Sequence, residues 1–323
     1  MRLSTANASR WRGQPGHYEA WHLRLGDPHS AASAWIRHSF HVPPEAAPGE
    51  STAELWFVGR DPDGVAYARR QSFSIDQFRT GAGGFPLTLG PSSLDVASAS
   101  GRVDEARWDL RWSPTGEPFG YGGGGGRRRR AEIVVSQPTI RASGTFAIGS
   151  RDLEVRSWPA HQLHAWGNRH AEASARVHCN AFASPDDFVE VFSRRYDTLG
   201  KHTPVISTGA VVAQGERHEL HGALRGLAAR ATIEPNRYRF TIRGPFLSIE
   251  GEVHCSLADM VGVSYRDPDG GRVYAYAADH AVIEVEVRRR TVRGWQRAAR
   301  LSAGSCAYEY GSRQPVAGVE VVL

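Results

Sequence analysis

Hydrophobic and polar residues alternate along most of this chain, and the alternation predicts short strands joined by tight turns. Residues 18–25 place Trp21, Leu23 and Leu25 on one face of such a strand. Further segments are rich in β-branched or aromatic residues and are bounded by Gly, Pro or Asp. No window of about 12 residues repeats with the period of an amphipathic helix. The pattern predicts an all-β fold of antiparallel hairpins arranged in barrels or sandwiches.

Two turns share the tetrapeptide Asp-Pro-Asp-Gly, at residues 61–64 and at residues 267–270. Proline presets one backbone angle of a turn and glycine permits the positive one, so the first copy predicts a hairpin between residues 54–60 and 65–75. The recurrence indicates either two similar halves of the chain or the chance reuse of a common turn.

The densest chemistry lies in residues 158–182, which hold four histidines and two tryptophans. From His170 onward, polar residues alternate with small apolar ones, which predicts a strand with two unlike faces. The polar face of that strand carries His170, Glu172, Ser174, Arg176, His178, Asn180 and Phe182. Gly167-Asn168 predicts a bend just before this strand. We expect the bend to bring His164 and Trp166 close to the polar face.

This polar face has two interpretations. Antiparallel sheets often turn one face to water, and the segment could be such a surface. Two histidines, a carboxylate and an arginine are a costly choice for a merely wet face, however, and Trp158 and Trp166 are poorly suited to solvent. We therefore interpret the segment as the wall of a cavity.

The length of 323 residues suits two domains of about 150 residues each, or one large all-β body. The formal net charge is +5, and arginine carries nearly all of the positive charge because Lys201 is the only lysine. The basic residues are spread along the chain, and no stripe of basic and aromatic residues marks a nucleic-acid module. We predict no nucleic-acid partner.

Three cysteines, Cys179, Cys255 and Cys306, are too few and too far apart for a disulfide framework. They indicate free thiols in a reducing compartment. The first residues lack the apolar core of a signal peptide, and no apolar run approaches the roughly 18 residues of a membrane span. We expect a cytoplasmic protein without a transmembrane segment.

Residues 119–130 form a low-complexity run of glycine and arginine. The run matches the Gly-x-Gly-x-x-Gly pattern only because it is nearly all glycine, and no strand-to-helix unit surrounds it, so we predict no bound dinucleotide. A flexible loop is the plainest interpretation, and a lid over a pocket is the alternative.

The four histidines of residues 158–182 first suggest a metal site, with Glu172 as a further ligand. On a strand, a His-x-His pair aims two imidazoles at one ion, and this stretch lacks that pair. His161 and His164 have a spacing that fits a turn better than a strand. We predict no bound metal.

Proton transfer and ligand binding are the remaining interpretations. A nucleophilic cysteine is disfavoured because His178 and Cys179 are adjacent and point to opposite faces of a strand, and there is no Gly-x-Ser-x-Gly elbow. Glu172 and His170, with Arg176 between them and His178, are candidates for a general acid of tuned pKa. The same residues are equally suited to hold a ligand without reacting it.

Several short motifs resemble two-domain calycin proteins related to hydroxyneurosporene synthase and, more distantly, tocopherol cyclase. Residues 164–167 (His-x-Trp-Gly) and 178–182 (His-Cys-Asn-Ala-Phe) resemble the junction between the two domains of that family. Residues 15–21 resemble its first hairpin, residues 141–145 an inner strand and residues 307–313 its closing strand.

The resemblance implies two lipocalin-like antiparallel barrels packed side by side, with a hydrophobic ligand between or inside them. It also implies catalysis without a cofactor, by hydration, cyclisation or isomerisation of a terpenoid or polyketide. Relatives often carry aromatic residues where this chain has Ala173 and Ala175, and the smaller side chains predict a wider pocket.

From the residues and the resemblance together, we predict an N-terminal barrel of residues 1–166 and a C-terminal barrel of residues 167–323, with a hydrophobic small molecule bound near their junction. The catalytic candidates are Glu172, His170 and His164. The substrate-binding candidates are Trp158, Trp166, Arg176, His178 and Asn180. The alternatives are a non-catalytic carrier of such a molecule and a purely structural pair of domains.

Overall fold

The chain folds into two antiparallel β-sheets in a computed structural model that describes residues 3–45, 50–121, 131–198, 201–220 and 229–323. Within these residues the only α-helix is α1 (Leu3–Asn7), and three short 3-10 turns follow it at Ile75–Gln77, Ala82–Gly84 and Leu257–Asp259. The predicted all-β fold of two lipocalin-like barrels is confirmed. The predicted lid, residues 119–130, lies outside the described residues from position 122 onward.

The N-terminal sheet has twelve strands among the described residues. They are β1 (His17–Gly26), β2 (Ser33–Val42), β3 (Thr52–Arg60), β4 (Ala66–Ser74), β5 (Phe78–Thr80), β6 (Leu87–Leu89), β7 (Ser92–Leu94), β8 (Ser98–Val103), β9 (Ala106–Arg111), β10 (Phe119–Tyr121), β11 (Ala131–Ile148) and β12 (Arg151–Gly167). Their order across the sheet is β4-β3-β2-β1-β12-β11-β9-β8-β7-β6-β5, and β10 pairs beside β11.

The C-terminal sheet follows, with a separate two-stranded ribbon beside it. The strands are β13 (Ala173–Cys179), β14 (Phe188–Arg195), β15 (Asp197–Thr198), β16 (Lys201–His202), β17 (Ile206–Ala213), β18 (Glu216–Leu220), β19 (Arg230–Glu234), β20 (Arg237–Arg243), β21 (Leu247–His254), β22 (Val261–Arg266), β23 (Arg272–Thr291) and β24 (Gly294–Ser312). The order across the sheet is β18-β17-β14-β13-β24-β23-β21-β20-β19; β22 pairs beside β23, and β15 with β16 forms the ribbon.

The two sheets repeat one topology. Strands β1, β2, β12 and β11 are connected and paired in the same way as β13, β14, β24 and β23, and the short β10 and β22 hold equivalent places. The two Asp-Pro-Asp-Gly turns do not hold equivalent places, because residues 61–64 join β3 to β4 whereas residues 267–270 join β22 to β23. The halves are therefore similar in topology, and the repeated tetrapeptide is a chance recurrence.

Each sheet buries its apolar face in a core of its own. Trp21, Leu23 and Leu25 lie in the N-terminal core, as their alternation predicts. Ala175 and Val177 of β13 lie in the C-terminal core. Removing such apolar side chains from water stabilises each sheet by about 25 cal/mol per Å². The polar faces of β1 and β13 are left on the opposite side.

Those opposite faces pack against each other and form the junction between the sheets. One apolar cluster joins Ile133 and Leu163 to Phe192, and a second joins Trp35 to Val263. Strand β12 ends at the connection to β13, near the predicted domain boundary. That the halves are separate domains stays a prediction.

Two details of the densest segment differ from expectation. Strand β12 is continuous through His161 and His164, where the sequence suggested a turn, because β12 pairs with β1 and β11 along most of its length. Strand β13 begins at Ala173, so His170 and Glu172 precede it. The backbone N–H of His170 donates to a side-chain carboxylate from a distant turn, which holds this connecting segment out of the ladder.

Gly251 of β21 should tolerate no side chain. A Cβ at this position would contact the ring of Phe240 and lie 3.0 Å from the carbonyl oxygen of Glu284. We expect Gly251→Ala to lower the free energy of unfolding, measured by urea denaturation, by about 1–3 kcal/mol.

Gly304 of β24 is the matched control, because a Cβ there meets nothing within 4 Å. Gly304→Ala should change the free energy of unfolding by less than about 0.5 kcal/mol. Equal effects of the two substitutions would contradict the packing described for Gly251.

Candidate functional site

The predicted site residues of β12 do not all face the same way. His161 pairs opposite Arg24 and stacks on His178 with ring centroids 3.9 Å apart, so it faces the C-terminal sheet. His164 pairs opposite Trp21 of the N-terminal core, so it faces the inside of the first barrel. An interval of three residues along a strand puts two side chains on opposite faces. The expected convergence of His164 with the polar face of β13 is wrong.

His164 anchors the N-terminal segment from inside the first barrel. Its Nε2 lies 2.7 Å from Oε1 of Glu19 and its Nδ1 lies 3.0 Å from the carbonyl oxygen of Ala6 in α1. A carbonyl oxygen only accepts, so Nδ1 carries a proton, and the bond to the carboxylate needs a second one. The ring also stacks on Trp21 at 4.6 Å. Because α1 covers this fully buried pair, the geometry supports anchoring and gives no support to a catalytic role.

Glu19 is held as a carboxylate by several donors. The backbone amides of Arg10 and Trp11 donate to it, at 2.6 and 3.1 Å. Burial alone raises the pKa of Glu19, but hydrogen bonds from His164 and His17 outweigh burial and lower that pKa to about 2.

The two tryptophans predicted to bind substrate also lie on the N-terminal side. Trp158 packs edge-on against Phe146 in the N-terminal core, with ring centroids 5.5 Å apart. Trp166 lies 4.7 Å from the ring of His164, and the guanidinium of Arg10 lies 4.9 Å from the Trp166 ring. Neither tryptophan lines the cavity at the junction, so other residues supply its aromatic wall.

Arg176 and His178 lie on the face of β13 that packs against the N-terminal sheet, and Asn180 follows directly after the end of this strand. Arg176 Nε and His178 Nδ1 lie 2.8 and 2.7 Å from the carboxylate of Glu190. His178 Nε2 and Asn180 Nδ2 each lie 2.9 Å from the carbonyl oxygen of Pro138. Burial lowers the pKa of His178 although Glu190 opposes the shift. The contacts to Glu190 join two strands of the C-terminal sheet, and the contacts to Pro138 join the two sheets. Of the three predicted residues, Arg176 alone lines the junction cavity.

Glu172 lies at the edge of the junction. Its Oε1 accepts a hydrogen bond from Nη2 of Arg169 at 2.6 Å, and its Oε2 lies 3.7 Å from Nε of Arg313. It is not among the residues that line the junction cavity. The position supports a role in ion pairing and gives no support to Glu172 as a proton donor.

The junction cavity has a volume of about 70 Å³ and lies between the two sheets. Its apolar wall contains Ile133, Leu163, Phe192 and Val273. A second cavity of about 260 Å³ adjoins the first and shares four lining residues with it. The shared residues are Tyr18, Arg37, His170 and Tyr265. Small-molecule sites have volumes of about 300 Å³ or more, and the two cavities together reach that size.

His170 stands between the two cavities and is oriented by a buried carboxylate. Its Nδ1 lies 2.5 Å from Oδ1 of Asp267, whose Oδ2 accepts a hydrogen bond from Nη2 of Arg313 at 2.5 Å. The His170 ring stacks on Tyr18 at 4.0 Å and meets Tyr265 edge-on at 4.9 Å. Burial raises the pKa of Asp267, but His170 and Arg313 outweigh burial and lower it. The carboxylate therefore stays ionised and keeps a proton on Nδ1 of His170.

The other ring nitrogen of His170 is the free one. Its Nε2 has no hydrogen-bond partner among the residues that the structure describes, and the side chain is 21% exposed. An imidazole fixed through Nδ1 by a carboxylate, with Nε2 open to a cavity, is suited to take up and release a proton.

His22 adds a neutral donor to the same cavity. Nε1 of Trp35 donates to Nδ1 of His22 at 2.9 Å. Burial lowers the pKa of His22 well below its usual range, and the charges of Arg37, Arg176 and Arg24 add to this effect. The ring therefore stays neutral, with its proton on Nε2. A neutral N–H can hold a carbonyl or phenolic oxygen of a ligand.

Sequence reasoning missed Tyr18, His22, Tyr265 and Asp267. The alternation of residues 18–25 does place Tyr18 and His22 on the face opposite Trp21, and that face could have been read as a second functional surface. No comparable signal marks Asp267, because it lies 97 residues from His170 in the chain.

The described residues give less support to a metal site or to a nucleophilic cysteine. No three His, Cys, Asp or Glu side chains of the described ranges converge on a point where they could hold a metal ion. Burial raises the pKa of Cys179 to about 12, which suits a core residue and not a nucleophile. Over the same described ranges, no helix is long and apolar enough to cross a membrane.

Comparison with known proteins identifies the fold but no family. No protein-family model matches the chain, and no curated protein matches it in sequence. Its structure is similar to that of a candidate AttH protein from Nitrosomonas europaea, with a TM-score of 0.58 and 12% identity over 92% of each chain.

Two further solved structures share this fold. Kievitone hydratase from Nectria haematococca matches with a TM-score of 0.55 and 10% identity, over 93% of this chain and 90% of that one. CghA, solved with Sch210972, matches with a TM-score of 0.53 and 9% identity over 96% of each chain. These matches place the chain among lipocalin-like barrel folds, and at such low identity they establish the fold alone.

The buried pair of Glu19 and His164 predicts a specific dependence of stability on pH. Because the pKa of Glu19 falls from an ordinary value of 4.5 to about 2 on folding, its carboxylate contributes stability above about pH 4.5 that is lost as the pH falls toward 2. We expect Glu19→Gln to lower the free energy of unfolding by about 3 kcal/mol at about pH 6, and by much less at about pH 3. Urea denaturation at both pH values measures this difference.

The control is Glu45→Gln, since Glu45 is an exposed carboxylate. Its effect should stay below about 0.5 kcal/mol at both pH values. A Glu19→Gln effect that is the same at both pH values would contradict the ionic pair described above.

Proposed function

We propose that this protein is a cofactor-free proton-transfer enzyme, a hydratase, isomerase or cyclase, that acts on a hydrophobic small molecule in the junction cavity. One observation carries the proposal. His170 is oriented through Nδ1 by the buried carboxylate of Asp267, its Nε2 has no partner within the described residues, and the residue lines an aromatic-lined cavity. The sequence already marks His170 as a catalytic candidate, whereas Asp267 is identified from the structure alone.

The pair of Asp267 and His170 supports a full cycle of proton transfer. When neutral, His170 takes a proton from the substrate on Nε2, and the resulting imidazolium is stabilised by the carboxylate beside Nδ1. The imidazolium, whose side chain is partly exposed and exchanges its proton with solvent, then donates a proton to a different atom of the bound molecule. Arg313 holds the far oxygen of Asp267 at 2.5 Å, so the carboxylate stays in place while the ring changes charge. Positioned acid–base groups of this kind typically contribute a factor of about 10²–10⁴ in rate.

Two neutral donors are placed to polarise the substrate. Nε2–H of His22 serves as a hydrogen-bond donor, as described above. Burial raises the pKa of Tyr18 well above its usual range, so its hydroxyl stays protonated. Neutral donors in a water-poor cavity stabilise negative charge as it develops on a carbonyl or phenolic oxygen.

The acid strength of a protonated histidine restricts which double bonds the site can protonate. An imidazolium is a weak acid toward an isolated alkene. It transfers protons more readily to a double bond conjugated with a carbonyl or phenol. The site therefore favours activated double bonds over isolated ones.

Two comparisons support the proposal without establishing it. A kievitone hydratase and CghA with bound Sch210972 share the fold, so the fold is compatible with hydration and with binding of an organic molecule. The sequence motifs that resemble hydroxyneurosporene synthase point to the same class of reaction. On this basis we propose a distant relationship to that family.

A non-catalytic carrier is the second candidate function. The observation that favours it is the apolar wall formed by Ile133, Leu163 and Val273, which would hold a hydrophobic molecule without any proton transfer. A carrier binds the same compounds and releases them unchanged, and this difference separates the two candidates.

The direct test is turnover of a panel of α,β-unsaturated ketones and vinylphenols in D₂O, followed by mass spectrometry. A hydratase adds water, and an isomerase or cyclase yields a product that carries deuterium from the solvent. For any compound that the protein converts, we expect His170→Gln and Asp267→Asn to slow turnover by about 100-fold or more, because each removes a member of the proton-transfer pair.

His29→Gln is the matched control, since His29 is exposed and is not among the residues that line either cavity. This variant should keep full turnover, and Glu172→Gln should keep it as well. Full turnover in a folded His170→Gln variant would refute the role of His170. Binding of panel compounds by the unmodified protein with their release unchanged would favour the carrier.

A further inference from the structure

The second cavity, of about 260 Å³, is unusually rich in arginine. Its lining includes the side chains of Arg37, Arg70, Arg266 and Arg272, and we call these four residues the arginine compartment. Glu54 is the one carboxylate in the lining. A cavity with four guanidinium groups and one carboxylate carries an excess of positive charge, and such an excess attracts an anion.

Arg37 is the inner member of the compartment and is a buried cation. Its side chain belongs to a residue that is 7% exposed, and its Nη1 has no hydrogen-bond partner in the described part of the chain. The guanidinium lies 4.4 Å from the ring of Trp56 and 5.0 Å from the ring of Tyr265. The carboxylate of Glu54 is not a hydrogen-bond partner of Arg37. One of its oxygens accepts a hydrogen bond from Nε1 of Trp56 at 3.0 Å, and the other lies 3.7 Å from Nη1 of Arg70.

A buried guanidinium whose N–H group has no acceptor lowers the stability of the fold unless a ligand supplies that acceptor. Burying a charge without pairing it destabilises a fold, and guanidinium groups remain protonated at all physiological pH values. The planar fork of Arg37 matches the geometry of a carboxylate or a similar anion. Its open N–H group therefore points to a negatively charged ligand.

Arg266 and Arg272 are the outer members of the arginine compartment, and they too lack a partner carboxylate among the described residues. They face each other as a cross-strand pair between β22 and β23. Like charges directly opposite on neighbouring strands are destabilising. Both side chains are exposed, and neither makes an ion pair with a carboxylate in the described ranges. Arg239 and Arg300, which are exposed on the same sheet, are paired with Glu252 and Glu284.

We propose that the arginine compartment binds an anionic group of the substrate, which is therefore an amphipathic organic acid. The acidic group would be held by Arg37 and neutralised from outside by Arg266 and Arg272, while the hydrophobic body enters the junction cavity. This assignment rests on the proposed function, because it names the substrate class of the same site. It also gives a reason for the position of His170, which lines both cavities and would meet the molecule near the link between its acidic and apolar parts.

The test uses two fluorescent probes that differ by one anionic group. 8-Anilinonaphthalene-1-sulfonate carries a sulfonate, and N-phenyl-1-naphthylamine has the same aromatic skeleton without it. Arg266→Gln combined with Arg272→Gln should weaken binding of the sulfonate probe by about 10-fold, because two nearby positive charges are removed, and should change binding of the neutral probe by less than about twofold. Arg37→Gln should show the same selective loss.

The matched control is Arg293→Gln combined with Arg297→Gln, which removes the same net charge from exposed positions outside the cavity lining. This variant should bind both probes like the unmodified protein. Equal weakening in the control, or equal loss of both probes in the compartment variants, would overturn the proposal. Unchanged binding of the sulfonate probe in the compartment variants would overturn it as well.

Neither probe is converted, so this experiment is independent of turnover. If the sulfonate selectivity fails while His170→Gln still abolishes turnover of a panel compound, the proposed function stands and the organic acid is wrong. If the selectivity holds while no panel compound is converted, the anion site stands and the proposed function has failed.

Discussion

The structure depends on one constraint, which is that two amphipathic sheets cover each other's polar faces. The polar groups buried between the sheets need hydrogen-bond partners, since each buried group without one lowers the stability of the fold by about 1–3 kcal/mol. Most find partners across the junction. Arg24 of β1 pairs with Asp279 at 2.6 Å, and Asn180 donates to the carbonyl oxygen of Ala160 at 2.7 Å. These bonds fix how the two sheets meet and so shape the space that remains between them.

Two of the exceptions to this pairing give the site its chemistry. Nε2 of His170 and Nη1 of Arg37 are polar atoms of the junction for which the described residues offer no partner. Both side chains line the space between the sheets, one as a proton carrier and the other as a fixed positive charge. In contrast, the pair of His164 and Glu19 is fully buried and bonded, and it serves the packing of α1. His164 and Glu19 therefore hold the fold, whereas His170 and Arg37 are available to a ligand.

The sequence predicts the faces of strands well and their surroundings poorly. Alternation placed Trp21, Leu23 and Leu25 in one core and separated them from Tyr18 and His22, because side chains on a strand alternate with period two. It did not say that a second sheet covers Tyr18 and His22. The site itself was predicted in part, since His170 and Arg176 do line the junction cavity.

The remaining site residues could not be found locally. The start of β13 depends on Asp267, which captures the backbone and ring of His170 from a turn 97 residues away. Such long-range contacts leave no periodic trace in a single sequence.

The most direct test of this account is a crystal structure of the His170→Gln variant with a compound that the unmodified protein converts. We expect the compound to lie between the two sheets, with its reacting atom within about 3.5 Å of the side chain at position 170. A compound bound inside either barrel, away from position 170, would contradict it.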